Sequence, residues 1–325
     1  MPDPTYLLPT PIVIRYGSDL WTTTDTNHPL IDGVLWEKDV IMLLGSEKAG
    51  KSILSLQMAF CLTSGHAFLD KYTVYQPTPV LYLQTEGKPS EMVDRMTAMK
   101  AALDIDDTNF FHLYQRFFPL DVKEIVDALI IEIDKLPVKP KVIFVDSLYT
   151  SMLGDLSDNT DVRRLFSILS PLLERYNCAV VLIHHETKPS HDEKGNMMDK
   201  GDKASFGSVF LRAWVGHILY LKMHRDKSRT LSCDTQRCGK VLEREDLILV
   251  EPNPLCFEIK EDKTPSIAKL RIALEGRKEG GYSIEDLEKM TGLSRPSIER
   301  GLRVMAKDSI TSHDGRKPRK YWICK

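Results

Sequence analysis

The sequence predicts an α/β protein with a mainly parallel sheet, followed by a small, basic helix-and-hairpin module. Three observations predict it. Between residues 38 and 262, short, continuously apolar runs alternate with segments of helical periodicity. One of these runs, residues 40–44, leads directly into Gly45-Ser46-Glu47-Lys48-Ala49-Gly50-Lys51-Ser52, which fits G-x-x-x-x-G-K-[ST]. Beyond residue 263 the charge balance inverts: residues 264–325 hold 14 Lys/Arg against 8 Asp/Glu, in a chain whose totals are 44 and 46. Strands apolar on both faces belong to a sheet covered on both sides, which is the parallel arrangement.

Taken in order, residues 1–37 are rich in Pro and Thr, lack periodicity and read as an irregular N-terminal arm. The strand at 40–44 precedes the glycine-containing loop, and Ile53, Leu54, Leu56, Met58 and Ala59 follow in helical spacing. That strand–loop–helix setting is what a phosphate-binding loop requires. Backbone N–H groups from Gly45 through Ile53 wrap a triphosphate, the helix N-terminus adds partial positive charge, Lys51 reaches the β and γ phosphates, and Ser52 holds Mg²⁺. Next come a strand at 79–84, helices over 89–103 and 121–136, a strand at 141–146, a helix over 161–176 and a buried strand at 178–183. Strands at 218–221, 230–235 and 255–259 extend the sheet in antiparallel fashion. The polar stretch 186–206, with Gly195, Gly201 and four lysines, breaks the pattern; a long structureless loop inside a domain is functional or disordered.

Three strand ends carry chemistry. Asp146 closes the apolar run 142–145 and emerges at the sheet's C-terminal edge, where a carboxylate can hold Mg²⁺ through water or Ser52; a plain strand-end Asp capping the next turn is the alternative. Glu86 follows the run 80–83 at the same edge, as suits a general base that orients water on the γ phosphate. The third strand ends in His184-His185. Adjacent residues of a strand face opposite sides, so one of the pair addresses the nucleotide; His185, the last, is the candidate γ-phosphate sensor.

Composition is that of an ordinary globular protein. The six cysteines are scattered, and Cys233/Cys238 have no second pair at metal spacing, so reduced thiols are expected and neither a disulfide framework nor a zinc site is. The N-terminus lacks the basic-then-apolar pattern of a signal peptide. The apolar stretch 206–223 contains Arg212 and His217 and does not read as a membrane span. The expected location is the cytoplasm, with no membrane partner.

In that order and spacing, the phosphate loop, Glu86, Asp146 and the His-His pair resemble the RecA-like ATPases. The nearer likeness is to plasmid RepA-type hexameric replicative helicases and their phage relatives. Residues 30–35 look like that family's leading segment, 80–86 like its second strand and 181–185 like its sensor strand. The resemblance covers about residues 28–260. It implies ATP and Mg²⁺ as cofactors, a homo-hexameric ring with ATP between subunits, and an arginine finger donated by the neighbour. Residues 235–240 resemble the finger strand of DnaB-type helicases, which makes Arg237 the finger candidate, although Thr235 stands where that family has a lysine. In such rings, loops facing the channel grip single-stranded DNA. Lys188, Lys194, Lys200 and Lys203 would then contact phosphates without reading sequence; a solvated loop of mixed charge is the alternative.

The C-terminal module, 263–325, reads as a helix over 266–276, a second helix capped by Ser283 with Asp286 at N3, a turn at Gly292, a third helix over 295–307 and a hairpin over 310–324. It looks like a winged helix-turn-helix. Arg295, Arg300 and Arg303 on the third helix, and Arg316 and Lys317 on the wing, are its candidate DNA contacts, with protein docking as the alternative use. The functional expectation is an ATP-dependent, ring-forming DNA helicase or translocase of a replicating mobile element. A DNA-binding regulator that uses ATP as a switch, or a recombinase-like filament ATPase, is the alternative.

Overall fold

The computed structural model describes residues 28–100, 103, 109–185, 209–233, 242, 244–251, 255–260, 265–275, 281–295, 298–299, 301–302, 305, 311–313 and 321–323, together with Gly17. Contacts divide the chain into two units, 1–259 and 260–325.

In the first unit, β1 (Pro29–Ile31) and β2 (Leu35–Trp36) form a small antiparallel hairpin. Next come β3 (Val40–Gly45), α1 (Lys51–Ser64), β4 (Val80–Gln84), α2 (Pro89–Lys100), β5 (Phe110–Tyr114) and α3 (Lys123–Lys135). β6 (Val142–Asp146), α4 (Asn159–Tyr176), β7 (Ala179–His185), α5 (Val209–Trp214), β8 (His217–Met223), β9 (Arg229–Cys233), β10 (Glu245–Val250) and β11 (Cys256–Ile259) complete it. The main sheet has the order β11-β10-β9-β8-β3-β7-β6-β4-β5. The strands from β8 to β5 are parallel to one another, and β9, β10 and β11 are added antiparallel. This is the α/β architecture with a mainly parallel sheet that the apolar pattern predicts.

Alternation along each strand sorts side chains onto two cores. Ile41, Leu43, Val181 and Ile183 join α1, α2 and the hairpin on one face, while Val40, Met42, Leu44, Val180 and Leu182 join α3, α4 and α5 on the other. Because both faces are covered, these strands are apolar on both faces up to their C-terminal ends.

Several expectations need correction. The arm expected over 1–37 does not stay irregular: residues 29–36 form the hairpin, and Leu30, Ile31, Val34 and Leu35 are buried in the first core. β8 is parallel to β3, so the antiparallel extension begins only at β9. β5 and β10 were not expected. The helix expected over 89–103 is described as Pro89–Lys100 and the strand expected over 230–235 as Arg229–Cys233, with residues 101–102 and 234–235 outside the described residues. Of the apolar stretch 206–223, the described part forms α5 and β8, and among the described residues no helix is long and apolar enough to cross a membrane.

Local chemistry fixes the loops that follow β5 and β6. Asp158 N-caps α4 by accepting from the N–H groups of Thr160 and Asp161, an arrangement worth about 1 kcal/mol. The buried Asp121 carboxylate accepts from Leu153 N at 2.9 Å, Gly154 N at 3.0 Å and Arg164 Nη2 at 2.8 Å. Burial raises its pKa, but these donors outweigh burial and the carboxyl stays below its ordinary range. The turn that follows β6 is thereby tied to the segment that follows β5.

β11 is separated from β3 by β8, β9 and β10. In a flat sheet it would lie roughly 19 Å away. Instead the sheet curls, and β11 packs against α1, the helix that follows the phosphate loop.

In the second unit, α6 (Pro265–Glu275) and α7 (Ile284–Thr291) pack around Leu270, Leu274, Leu287, Ile298, Leu302 and Met305. Ser283 and Asp286 form the expected capping box, and Gly292 ends α7 in the left-handed conformation. Arg295, Ile298, Glu299, Gly301, Leu302 and Met305 are helical, and β12 (Thr311–His313) pairs antiparallel with β13 (Tyr321–Ile323).

Candidate active site

Because β3, β7, β6 and β4 are parallel, Gly45, His185, Asp146 and Gln84 all end at one edge; in register, Gly45 lies opposite His185 and Asp146 opposite Gln84. The loop after β3 is shaped by two glycines with different needs. A Cβ at Gly45 would stand 2.3 Å from the carbonyl oxygen of Leu221, so the neighbouring strand β8 excludes any side chain there. Gly50 adopts φ 101°, a left-handed conformation that L side chains rarely take, immediately before α1. Ala49 is fully buried, and Glu47 and Lys48 are exposed at the tip. The first N–H groups of α1 lack helical carbonyl acceptors by construction, which makes this end a site for anions.

Lys51 is buried. Its ammonium donates to Gly45 O and Ser46 O, both at 2.9 Å, and lies 3.1 Å from His185 Nδ1. An ammonium has only protons to give, so Nδ1 accepts and the imidazole proton resides on Nε2. That nitrogen faces Glu86 Oε2 at 3.9 Å. Lys51, His185 and Glu86 thus form one line across the sheet edge.

Asp146 is buried below that line. It accepts from Tyr82 OH at 2.8 Å and also bonds the Ser52 hydroxyl. Burial raises its pKa despite those two bonds, and the nearby Glu86 adds to the rise while Arg95 opposes it. A divalent cation at Ser52 and Asp146 would favour the ionised form that burial opposes, so these donors fit Mg²⁺. Ser147 Oγ donates to Glu86 Oε1, and Thr150 Oγ1 lies 3.4 Å from the same oxygen. Thr85 Oγ1 accepts from Ser147 N at 3.0 Å, fixing the turn that presents Ser147.

A protein-family profile described as an AAA domain matches residues 16–191, more than half of the chain, and spans the loop, Glu86, Asp146 and His185. The chain belongs to the AAA domain family. Among solved structures, this AAA domain protein is similar to the crystal structure of a KaiC-like protein from the hyperthermophilic archaeon Pyrococcus horikoshii, with 12% identity, a TM-score of 0.48, and coverage of 72% of this chain and 97% of that one. No curated protein matches it in sequence.

Within this AAA domain, Lys51, Ser52, Glu86, Asp146 and His185 converge, while Ile53 lies in the first turn of α1 and packs against the first core. Arg295 is exposed, with Nε 3.4 Å from Glu299 Oε1. Arg237, Lys188, Lys194, Lys200, Lys203, Arg300, Arg303, Arg316 and Lys317 lie outside the described residues. Sequence reasoning passed over Tyr82, Ser147 and Thr150. Tyr82 stands in the apolar run 80–83, and a phenol buried there needs a hydrogen-bond partner, which the run itself does not identify.

His184 of the AAA domain faces away from Lys51, on the α4 side of the sheet. It is buried, its Nδ1 has no hydrogen-bond partner among the described residues, and burial, with help from His185 and Lys51, lowers its pKa from 6.5 to about 4. Between those two values the unfolded chain binds a proton that the native chain does not, so stability falls as pH falls. The expected loss is about 3 kcal/mol from pH 6.5 to 4 relative to a His184→Leu variant. Urea unfolding of the two proteins at stepped pH measures it; parallel pH profiles would refute it.

Proposed function

We propose that this protein is an ATP-dependent DNA helicase or translocase that works as a homo-hexameric ring in replication of a mobile element. The observation that carries the ATPase reading is the line Lys51–His185–Glu86 lying over the buried Asp146, with Ser52 beside it. In this reading ATP lies along the loop Gly45–Ser52, with Ile53 at its helical end. Ser52 and Asp146 would hold Mg²⁺, which would supply positive charge to the phosphates. Glu86 takes the proton of the attacking water on Oε2, because Ser147 and Thr150 engage Oε1. Lys51 exchanges its carbonyl and imidazole partners for the γ phosphate, which frees His185 Nδ1 and gives the histidine its sensing role. Arg237 of a neighbouring subunit is assigned to transition-state charge.

The link to DNA rests on the sequence. Lys188, Lys194, Lys200 and Lys203 follow directly on the sensor strand, and the basic second unit pairs helices around a glycine turn with a short hairpin, as a winged helix does. Its Arg295, Arg300, Arg303, Arg316 and Lys317 are the assigned phosphate and base contacts. The deciding experiment measures ATP hydrolysis with and without single-stranded DNA, alongside native mass. Hydrolysis that DNA stimulates, in a ring-sized oligomer, is expected. ATP binding with negligible turnover would favour the ATP-switch regulator, and open-ended assemblies would favour the filament ATPase.

A further inference from the structure

Three observations converge on the underside of the phosphate loop. First, Gln57 of α1 is 3% exposed, and both ends of its carboxamide are engaged: Nε2 donates to Phe257 O at 2.9 Å, and Oε1 accepts from Phe257 N at 2.7 Å. Phe257 belongs to β11, the terminal strand of the sheet, which among the described residues has a strand partner on one side only. The glutamine therefore stands where the next strand's peptide group would stand and secures that edge to the helix. Second, the Phe257 ring, 1% exposed, fills the space beneath Gly50: a Cβ at that glycine would be 2.7 Å from Cζ. Third, the buried Arg229 guanidinium lies 5.9 Å from the Phe257 ring centroid, and its Nε donates to Ala49 O in the loop at 3.4 Å. A packed helix does not require a reciprocal amide clamp on an edge strand, nor a ring held under the one residue of the loop with φ near 100°.

We infer that Gln57 and Phe257 form a brace that holds Gly50 and the loop around it in the phosphate-binding shape. They are positioning residues for the nucleotide, and β11 is the element that feels whether the nucleotide is bound. The inference rests on the ATPase reading above and adds to it a support from the far end of the sheet. The same strand ends at Ile259, the last residue of the first unit. A change in the brace is therefore delivered to the residue that joins the two units.

The test uses the full chain and ATPγS as probe. Phe257→Leu and Gln57→Leu are expected to raise Kd for ATPγS about tenfold or more, as loss of positioning does. Gln57→Glu, which keeps the acceptor for Phe257 N and loses the donor to Phe257 O, is the milder change if either of the others folds poorly, and is expected to raise Kd severalfold. Ile133→Ala, in the core on the opposite face of the sheet, destabilises without touching the brace and is expected to bind as wild type does. Hydrogen exchange gives a second readout: ATPγS is expected to slow exchange at Phe257 N–H in wild type and to leave it unchanged in Lys51→Ala. Unchanged Kd in the brace variants, an equal loss in Ile133→Ala, or exchange at Phe257 indifferent to ATPγS would overturn the brace. Failure of wild type itself to bind ATPγS would overturn the ATPase reading, and the brace with it.

Discussion

Glu86→Gln is expected to lower ATP turnover by about 10²–10⁴-fold, the usual contribution of a positioned general base, while ATP affinity stays near wild type. Glutamine preserves the shape and can still accept from Ser147 and Thr150 through its carbonyl oxygen, so the loop after β4 has no reason to move. What disappears is the basic oxygen that faces His185. Ser147→Ala removes one of the donors that orient the carboxylate and is expected to give a smaller loss in the same direction. Single-turnover hydrolysis separates these effects from binding. Turnover by Glu86→Gln within a fewfold of wild type would remove Glu86 from the mechanism and direct attention to another acid at this edge.

The second large effect is on stability. Phe144→Ala is expected to cost about 3–5 kcal/mol, a serious fraction of the 5–15 kcal/mol by which domains are typically stable. Phe144 is fully buried in the central part of the sheet and stacks on Tyr82, with ring centroids 5.6 Å apart and 14° between planes. Its neighbours are strands and a helix already fixed by their ladders, so a cavity there cannot easily collapse. The consequence reaches the site, because Tyr82 OH is a donor to Asp146. Chemical denaturation should show the loss as a lower midpoint with an unchanged slope, and the Mg²⁺ concentration needed for half-maximal ATP hydrolysis should rise in parallel. A midpoint shift of under about 1 kcal/mol would mean that the core re-closes around the gap.

Much of this was readable in advance, for reasons that lie in particular residues. Residues 40–52 encode a buried strand, a loop and a helix start within one short window, and every constraint is local. Asp146, Glu86 and His185 were found because each closely follows the end of an apolar run, and in a parallel sheet the groups at such strand ends come out at one edge. The elements that escaped were those without a continuous run. β1 and β2 together are five residues interrupted by a turn; β5 is half exposed, and β10 alternates with charged and exposed positions. Long-range partnerships left no local mark either. Nothing near Tyr82 announces that its hydroxyl meets a carboxylate 64 positions later, and nothing near Gln57 announces Phe257, 200 positions away. Those pairings are made by the order and curl of the sheet, which periodicity does not encode.

The strand that ends in His185 has ladders on both sides, with β3 and with β6. It is the middle plank between the one that feeds the loop and the one that bears Asp146, and its backbone has no slack to take up. Tension applied to the chain beyond residue 185 would therefore tug both halves of the phosphate cradle at once. A lever anchored at that point would work in either direction, turning a chemical event into a pull or a pull into a change of chemistry.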